Sequence, residues 1–191
     1  FDIEYQSGIG EGSTFTTAFF PNFSEMNEFF NITGAGQEYN NPTQELISLF
    51  VPGDTRKEVT VGVPGGFYDA DSVFHALPTS TNQTYTKKYF DSSPVRADSK
   101  ANWKVIRYAD VLLMYAEALN ENGKPQQAIP FLNQVRTRAG LEGYPNTMSQ
   151  TETRDAIVLE RRLELSFEGV RWFDLVRTGK AYEVMKDKGM A

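Results

Sequence analysis

The chain has 191 residues, of which 40% are hydrophobic and 23% are charged. These values are typical of a globular protein with a buried core and argue against a disordered chain. The formal net charge of −6 argues against a general nucleic-acid binder, because binding to phosphates requires a basic surface. No apolar stretch approaches the roughly twenty residues that span a bilayer.

The first hundred residues are predicted to be rich in loops, with short strands. Residues 1–6 alternate apolar and polar side chains in the manner of a strand, and the Gly- and Ser-rich stretch 7–14 ends it. Residues 15–39 contain many aromatic residues without a sustained period, which indicates irregular structure with one helical turn. From 57 to 90, runs rich in Val, Thr and Tyr alternate with Gly and Pro, which predicts hairpin-like strands and exposed loops.

A short helix is predicted between these loop-rich segments. It should begin at Asn41-Pro42, because proline is tolerated at the first helical position, and end before Pro52-Gly53. Its buried face would be formed by Leu46, Ile47, Leu49 and Phe50.

Two longer helices are predicted next. Asn102 can cap a helix that runs to about Asn120, and Asn122-Gly123 closes it. Lys124-Pro125 begins a second helix that runs to Ala139, before Gly140. The pair is typical of a tetratricopeptide-type hairpin, in which a single repeat cannot bury its own faces and about three are usually needed. The positions that would pack the two helices together are Tyr115, Ala116, Leu119, Gly123, Ala128 and Leu132.

The segment from Arg154 to Lys180, RDAIVLERRLELSFEGVRWFDLVRTGK, is a helix-length run in which charged residues of both signs alternate with large apolar ones. If its apolar residues Ile157, Leu163, Phe167 and Val170 face a core, part of the charged set is drawn inward with them. We interpret this set as a structural network rather than an active site, so Arg161→Ala or Glu168→Ala should lower stability without changing ligand chemistry. The predicted network consists of Arg161, Glu164, Glu168, Arg171 and Asp174.

Three motifs in this half occur together in one known family. They are RYADVLLMYAEALNENG at 107–123, AIPFLNQVRTRAGL at 128–141, and the ERRLELSFEGVRWFDLVR portion of the charged run. In this order they resemble the SusD/RagB family of outer-membrane glycan-binding lipoproteins. The resemblance is specific from Arg107 to Lys180 and weaker upstream, at residues 3–8, 41–50 and 52–56.

The resemblance implies a SusD-like fold, mainly helical with irregular loops and a few short strands. It also implies that residues 1–191 are the C-terminal portion of such a domain, loop-rich over 1–100 and helical over 101–180, with an N-terminal helical half and a lipidated cysteine elsewhere. By the same resemblance, the full-length protein is expected on the cell surface of a Bacteroidetes-type outer membrane. There it would capture a glycan and deliver it to a SusC-like TonB-dependent transporter.

Candidate glycan-binding residues come from the chemistry of sugar recognition. Aromatic rings stack on the apolar faces of pyranoses, while Asn, Asp, Gln and Arg bind the hydroxyl groups. The loop-rich half offers aromatic residues beside such partners, although each ring could instead fill the core beneath a long loop. The predicted glycan-binding residues are Phe20, Asn22, Phe23, Phe67, Tyr68, Asp71 and Tyr85.

Catalysis and metal binding are not predicted. His75 is the single histidine and cysteine is absent, so neither a catalytic triad nor a typical zinc site is indicated. A glycosidase would need two carboxylates, but the candidates Glu160, Glu164 and Glu168 lie among arginines that would keep them ionised. Asp69 and Asp71 lack the ligand spacing of a calcium loop, and no cofactor is expected.

A competing hypothesis is a tetratricopeptide-type adaptor that binds a protein segment between stacked helices. Tyr108, Lys124 and Arg136 would then line a peptide groove. Alanine replacements of Phe67 and Tyr68 separate the two hypotheses. Glycan capture requires lost binding with a retained fold, whereas the adaptor requires destabilisation or no effect.

Overall fold

The computed structural model of the protein describes residues 1–22, 27–28, 31–34, 36–62, 65–68, 73–76, 84–91 and 95–188. The chain divides into two units, Phe1–Arg107 and Tyr108–Ala191. Within the described residues the longest elements are helices, and the strands have only two or three residues each. The predicted fold class, mainly helical with irregular loops and a few short strands, is confirmed.

The first unit is built from short elements joined by loops. Among the described residues, the helices are α1 (Phe15–Phe19), α2 (Gln44–Leu49) and α3 (Arg56–Thr60), and the strands are β1 (Asp2–Ile3), β2 (Val61–Gly62), β3 (Gly66–Tyr68), β4 (Phe74–Ala76), β5 (Tyr85–Thr86) and β6 (Trp103–Lys104). The strands form antiparallel pairs, β1 with β6, β2 with β5, and β3 with β4. The β3–β4 pair is a hairpin of the kind predicted for residues 57–90.

Aromatic packing holds much of the first unit together. Tyr89 is buried and stacks on Trp103, with ring centroids 5.5 Å apart and planes 7° from parallel. Phe15 of α1 packs on both rings, with centroid distances of 5.6 Å to Tyr89 and 5.0 Å to Trp103. Each aromatic pair contributes about 0.5–1.5 kcal/mol beyond the area it buries. The cluster therefore fixes α1 against β6.

The second unit is a helical scaffold. The hairpin of α4 (Tyr108–Glu121) and α5 (Pro125–Arg138) turns at Gly123, whose φ of 73° favours glycine. Pro125 is the first residue of α5, as predicted. Its core consists of Leu112, Leu113, Ala116, Ala128, Leu132, Val135, Ala156 and Ile157. No helix in the described ranges is both long and apolar enough to cross a membrane. The helices are α4 (Tyr108–Glu121), α5 (Pro125–Arg138), α6 (Gln150–Glu164), α7 (Arg171–Arg177) and α8 (Ala181–Met185), followed by a 3-10 turn at Lys186–Lys188.

Two predicted helix starts are wrong. Asn102 does not cap α4, which begins at Tyr108; its Oδ1 accepts a hydrogen bond from the Tyr5 N–H at 2.9 Å instead. The cause is the pairing of β6 with β1, about a hundred residues earlier in the chain, which keeps residues 103–104 extended. Pro42 does not begin α2, because the hydroxyl of Thr43 accepts from the Leu46 N–H and makes Thr43 the N-cap.

The charged run is not one helix. α6 ends at Glu164, and α7 begins only at Arg171. Between them, Phe167 and Gly169 adopt left-handed conformations, with φ of 66° and 80°. The charged residues on the two sides of this turn therefore do not share one helix face.

The start of α6 allows a test of local helix stability. Ser149 and Glu152 form a capping box, in which the Glu152 N–H donates to the Ser149 hydroxyl and the Ser149 N–H donates to the Glu152 carboxylate at 2.7 Å. Ser149→Ala should lower the free energy of unfolding by about 1 kcal/mol, measured by urea denaturation. Thr151→Ala, at an exposed position in the same helical turn, is the control and should cause no loss. Equal stability of the two variants would contradict a role for the cap.

Candidate functional site

Two of the predicted glycan-binding aromatics lie in the core of the first unit. Phe20 is 0% exposed and Tyr85 is 2% exposed. Phe90 packs on both, with centroid distances of 4.6 Å to Phe20 and 5.8 Å to Tyr85. The Tyr85 hydroxyl donates to the Gly66 carbonyl at 3.3 Å, and burial raises the pKa of this phenol. The burial of these two rings argues against the prediction that they contact a ligand.

The other predicted contacts have different positions. Asn22 is exposed, and its N–H donates to Glu38 Oε1 at 3.1 Å. Phe67 and Tyr68 belong to β3, opposite His75 and Phe74 of β4. Phe23 and Asp71, like Asp69, lie outside the described residues. The structure thus leaves Asn22, Phe67 and Tyr68 as candidates with a known backbone position.

Tyr39 is an exposed tyrosine outside the predicted set of glycan-binding residues. It follows Glu38, the hydrogen-bond partner of Asn22, in the chain. Its side chain is 58% exposed, and its neighbours Glu38 and Asn40 both adopt left-handed backbone conformations, with φ of 57° and 60°. Gly36 allows this segment to approach the Phe20 backbone, since a Cβ at position 36 would lie 2.0 Å from the Phe20 carbonyl oxygen. The sequence signal was the Gly-x-x-Tyr-Asn pattern, in which Gly36 permits the close approach and Asn40 tolerates a left-handed backbone.

Arg161 is the centre of the charged network in the second unit. It is buried, and its guanidinium donates to Asp110 Oδ1 at 2.8 Å and to both Asp174 oxygens at 3.0 and 3.2 Å. Arg177 lies 2.8 Å from Asp174 Oδ1 and also donates to Glu117 Oε2 at 2.9 Å. These hydrogen bonds raise the pKa of Arg177. The network therefore joins α4, α6 and α7.

The remaining members of the predicted network are Glu164, Glu168 and Arg171. Glu164 is buried and accepts from Arg138 of α5. Glu168 is buried in the turn after α6, and Arg171 is the first residue of α7. The sequence missed Asp110, because the ion pair joins residues 51 positions apart.

A cavity of about 490 Å³ lies within the second unit, between α6, α7 and the helices beside them. Five basic and five acidic side chains share its lining with apolar residues such as Ile157, Leu175 and Val184. Several of these charges are paired with each other. Arg154, for example, donates to both Glu121 oxygens at 2.7 and 2.6 Å, which lowers the pKa of Glu121. A balanced lining of this kind does not select a charged ligand.

The carboxylates of the glycosidase alternative do not form a catalytic pair. Glu160 is fully buried, with Arg136 at 3.5 Å, and Glu164 is held by Arg138. Neither lines the cavity of the second unit. Across the described part of the chain, no cluster of three or more His, Asp or Glu residues is arranged to hold a metal ion.

The peptide groove of the adaptor hypothesis does not form. Arg136 packs over the Tyr144 ring at 4.2 Å and donates to the Glu142 carbonyl at 2.7 Å, so its guanidinium is already engaged. Tyr108 is exposed at the start of α4, and Lys124 is exposed just before α5, in the turn that follows α4. The length of α4, about 20 Å at 1.5 Å per residue, lies between them, so these two side chains are not brought together in one short groove.

The chain is similar to known proteins along nearly its whole length. The family model described as the SusD family matches residues 4–190. A SusD-like protein of Formosa agariphila is 36% identical over 156 residues, which cover 78% of this chain and 28% of that protein.

Two solved structures show the same fold. A SusD superfamily protein of Parabacteroides distasonis has a TM-score of 0.72 and 29% identity, covering 91% of this chain and 38% of that one. A structure described as a laminarin-binding SusD-like protein has a TM-score of 0.70 and 30% identity, covering 100% of this chain and 44% of that one. The chain therefore spans less than half the length of the relatives that it matches.

Proposed function

Because this chain belongs to the SusD family, we propose that the protein binds a glycan at the cell surface and delivers it to a SusC-like TonB-dependent transporter of the outer membrane. The observation that carries the proposal is the similarity of the whole chain to a laminarin-binding SusD-like protein. The family match confirms the resemblance that the three helical motifs indicated.

The proposed activity is binding without catalysis. Residues of the first unit would contact the sugar, while the helices of the second unit, joined by Arg161, would serve as a rigid scaffold. A preformed binding surface loses little conformational entropy when the ligand binds. We also propose that a lipid anchor holds the full-length protein to the outer membrane.

Calorimetric titration of the full-length protein against plant, host-mucin and microbial glycans, laminarin among them, tests this function. We expect saturable binding to one class. Phe67→Ala and Tyr68→Ala should weaken that binding and leave the unfolding transition unchanged, whereas Tyr108→Ala, at an exposed position of α4, should leave both unchanged. Absence of binding across the panel would refute glycan capture.

A further inference from the structure

We propose that Tyr39 is a glycan-stacking residue and that Asn22 and Glu38 beside it bind sugar hydroxyl groups. This role rests on the proposed function, and Tyr39, unlike Asn22, is not among the glycan-binding residues predicted from the sequence. The ligand class is a neutral glycan whose pyranose rings expose an apolar C–H face.

The backbone around Tyr39 is fixed to α1 and the residues that follow it. Three successive N–H groups donate to that segment: Gln37 to the Thr17 carbonyl at 3.0 Å, Glu38 to Phe20 at 3.2 Å, and Tyr39 to Ala18 at 2.9 Å. On the other side, the Asn40 carbonyl accepts from the Thr86 hydroxyl at 2.7 Å. The position of Tyr39 is therefore determined by hydrogen bonds on both sides.

The conformation of this segment is unfavourable for the residues that adopt it. Left-handed backbone is uncommon for residues other than glycine, and a glutamate lacks the tolerance that asparagine shows. Such residues persist where the surrounding structure forces them, and they concentrate at binding and catalytic sites. Here the two left-handed residues flank a side chain that is more than half exposed, so the structure holds an aromatic ring at the surface rather than in the core.

The polar groups of Glu38, which precedes Tyr39, and of its partner Asn22 suit a sugar. An exposed phenol ring offers a flat apolar face for a pyranose and a hydroxyl group at its edge. The side-chain amide of Asn22 can both donate and accept hydrogen bonds. The Glu38 carboxylate accepts from the backbone N–H of Asn22 and has further acceptor capacity for sugar hydroxyls. Because the backbone is already ordered, binding loses little entropy.

The test compares variants of the full-length protein by calorimetric titration with laminarin, or with the glycan of the panel that saturates the unmodified protein. Tyr39→Ala should weaken binding about tenfold, which corresponds to about 1.4 kcal/mol. Tyr39→Phe keeps the ring face and should stay within about threefold of the unmodified protein. Tyr182→Ala, which removes a 79% exposed tyrosine in the second unit, is the matched control and should bind normally.

Each outcome is decisive. Unchanged binding by Tyr39→Ala, or an equal loss in Tyr39→Phe, would overturn the stacking role while the proposed function stands. If the unmodified protein binds no glycan, the proposed function fails and Tyr39 loses its role with it. Urea denaturation should give the same midpoint for all these variants, because both tyrosines are exposed.

Discussion

Arg161→Ala should lower the free energy of unfolding by about 3–5 kcal/mol, the loss typical when one partner of a buried ion pair is removed. The guanidinium of Arg161 lies between two carboxylates, and its removal leaves Asp110 buried opposite an empty space. Asp174 retains Arg177, which keeps the loss within this range. Chemical denaturation monitored by circular dichroism measures the change.

Two variants control this prediction. Arg154→Ala breaks an exposed pair with Glu121 and should have little effect, because exposed ion pairs contribute little to stability. Arg161→Lys keeps the positive charge but loses the planar fork that reaches both carboxylates, so its stability should fall between that of the unmodified protein and Arg161→Ala. An equal, small loss in all three variants would show that the buried network does not stabilise the second unit.

Leu132→Ala should lower the free energy of unfolding by about 2–5 kcal/mol. Leu132 is fully buried at the centre of the α4–α5–α6 core, where the lost methyl groups leave a cavity between close-packed helices. Thermal denaturation followed by circular dichroism reports the loss as a lower midpoint.

Val176→Ala is the matched control for this core substitution. It also removes apolar carbon atoms from a helix of the same unit. Because Val176 is largely exposed, this substitution creates no cavity. The midpoint should therefore move much less than for Leu132→Ala. Comparable shifts in the two variants would mean that the α4–α5–α6 core does not determine the stability of this unit.

The helix boundaries that could be predicted are those with local causes. Gly123 and Pro125 stop one helix and start the next through their own backbone preferences, and the predicted hairpin follows from them. The start of α4 could not be predicted, since Asn102 has the side chain of a good N-cap. A helix is excluded there because β1, at the start of the chain, pairs with residues 103–104. The turn at Phe167 was hidden because an aromatic residue rarely adopts a left-handed backbone.

The candidate site was harder to predict for the same physical reason. Phe20 and Tyr85 stand beside polar residues in the sequence, as sugar-binding aromatics do, but Phe90 packs on both of them in the folded unit. Whether a ring is buried depends on contacts between distant segments, which composition does not reveal. Arg161 and Asp174 could be singled out because they lie in a stretch of sequence with many charged residues. Their third partner, Asp110, lies in a different motif.

The segment that carries Tyr39 is held by its backbone rather than by its side chain. All three N–H donors between Gln37 and Tyr39 bond to carbonyl oxygens, and Gly36 provides the close approach. The residue type at position 39 therefore contributes little to the fold. A single codon change there could alter ligand preference while the protein still folds, which would let evolution exchange specificity at this position independently of stability.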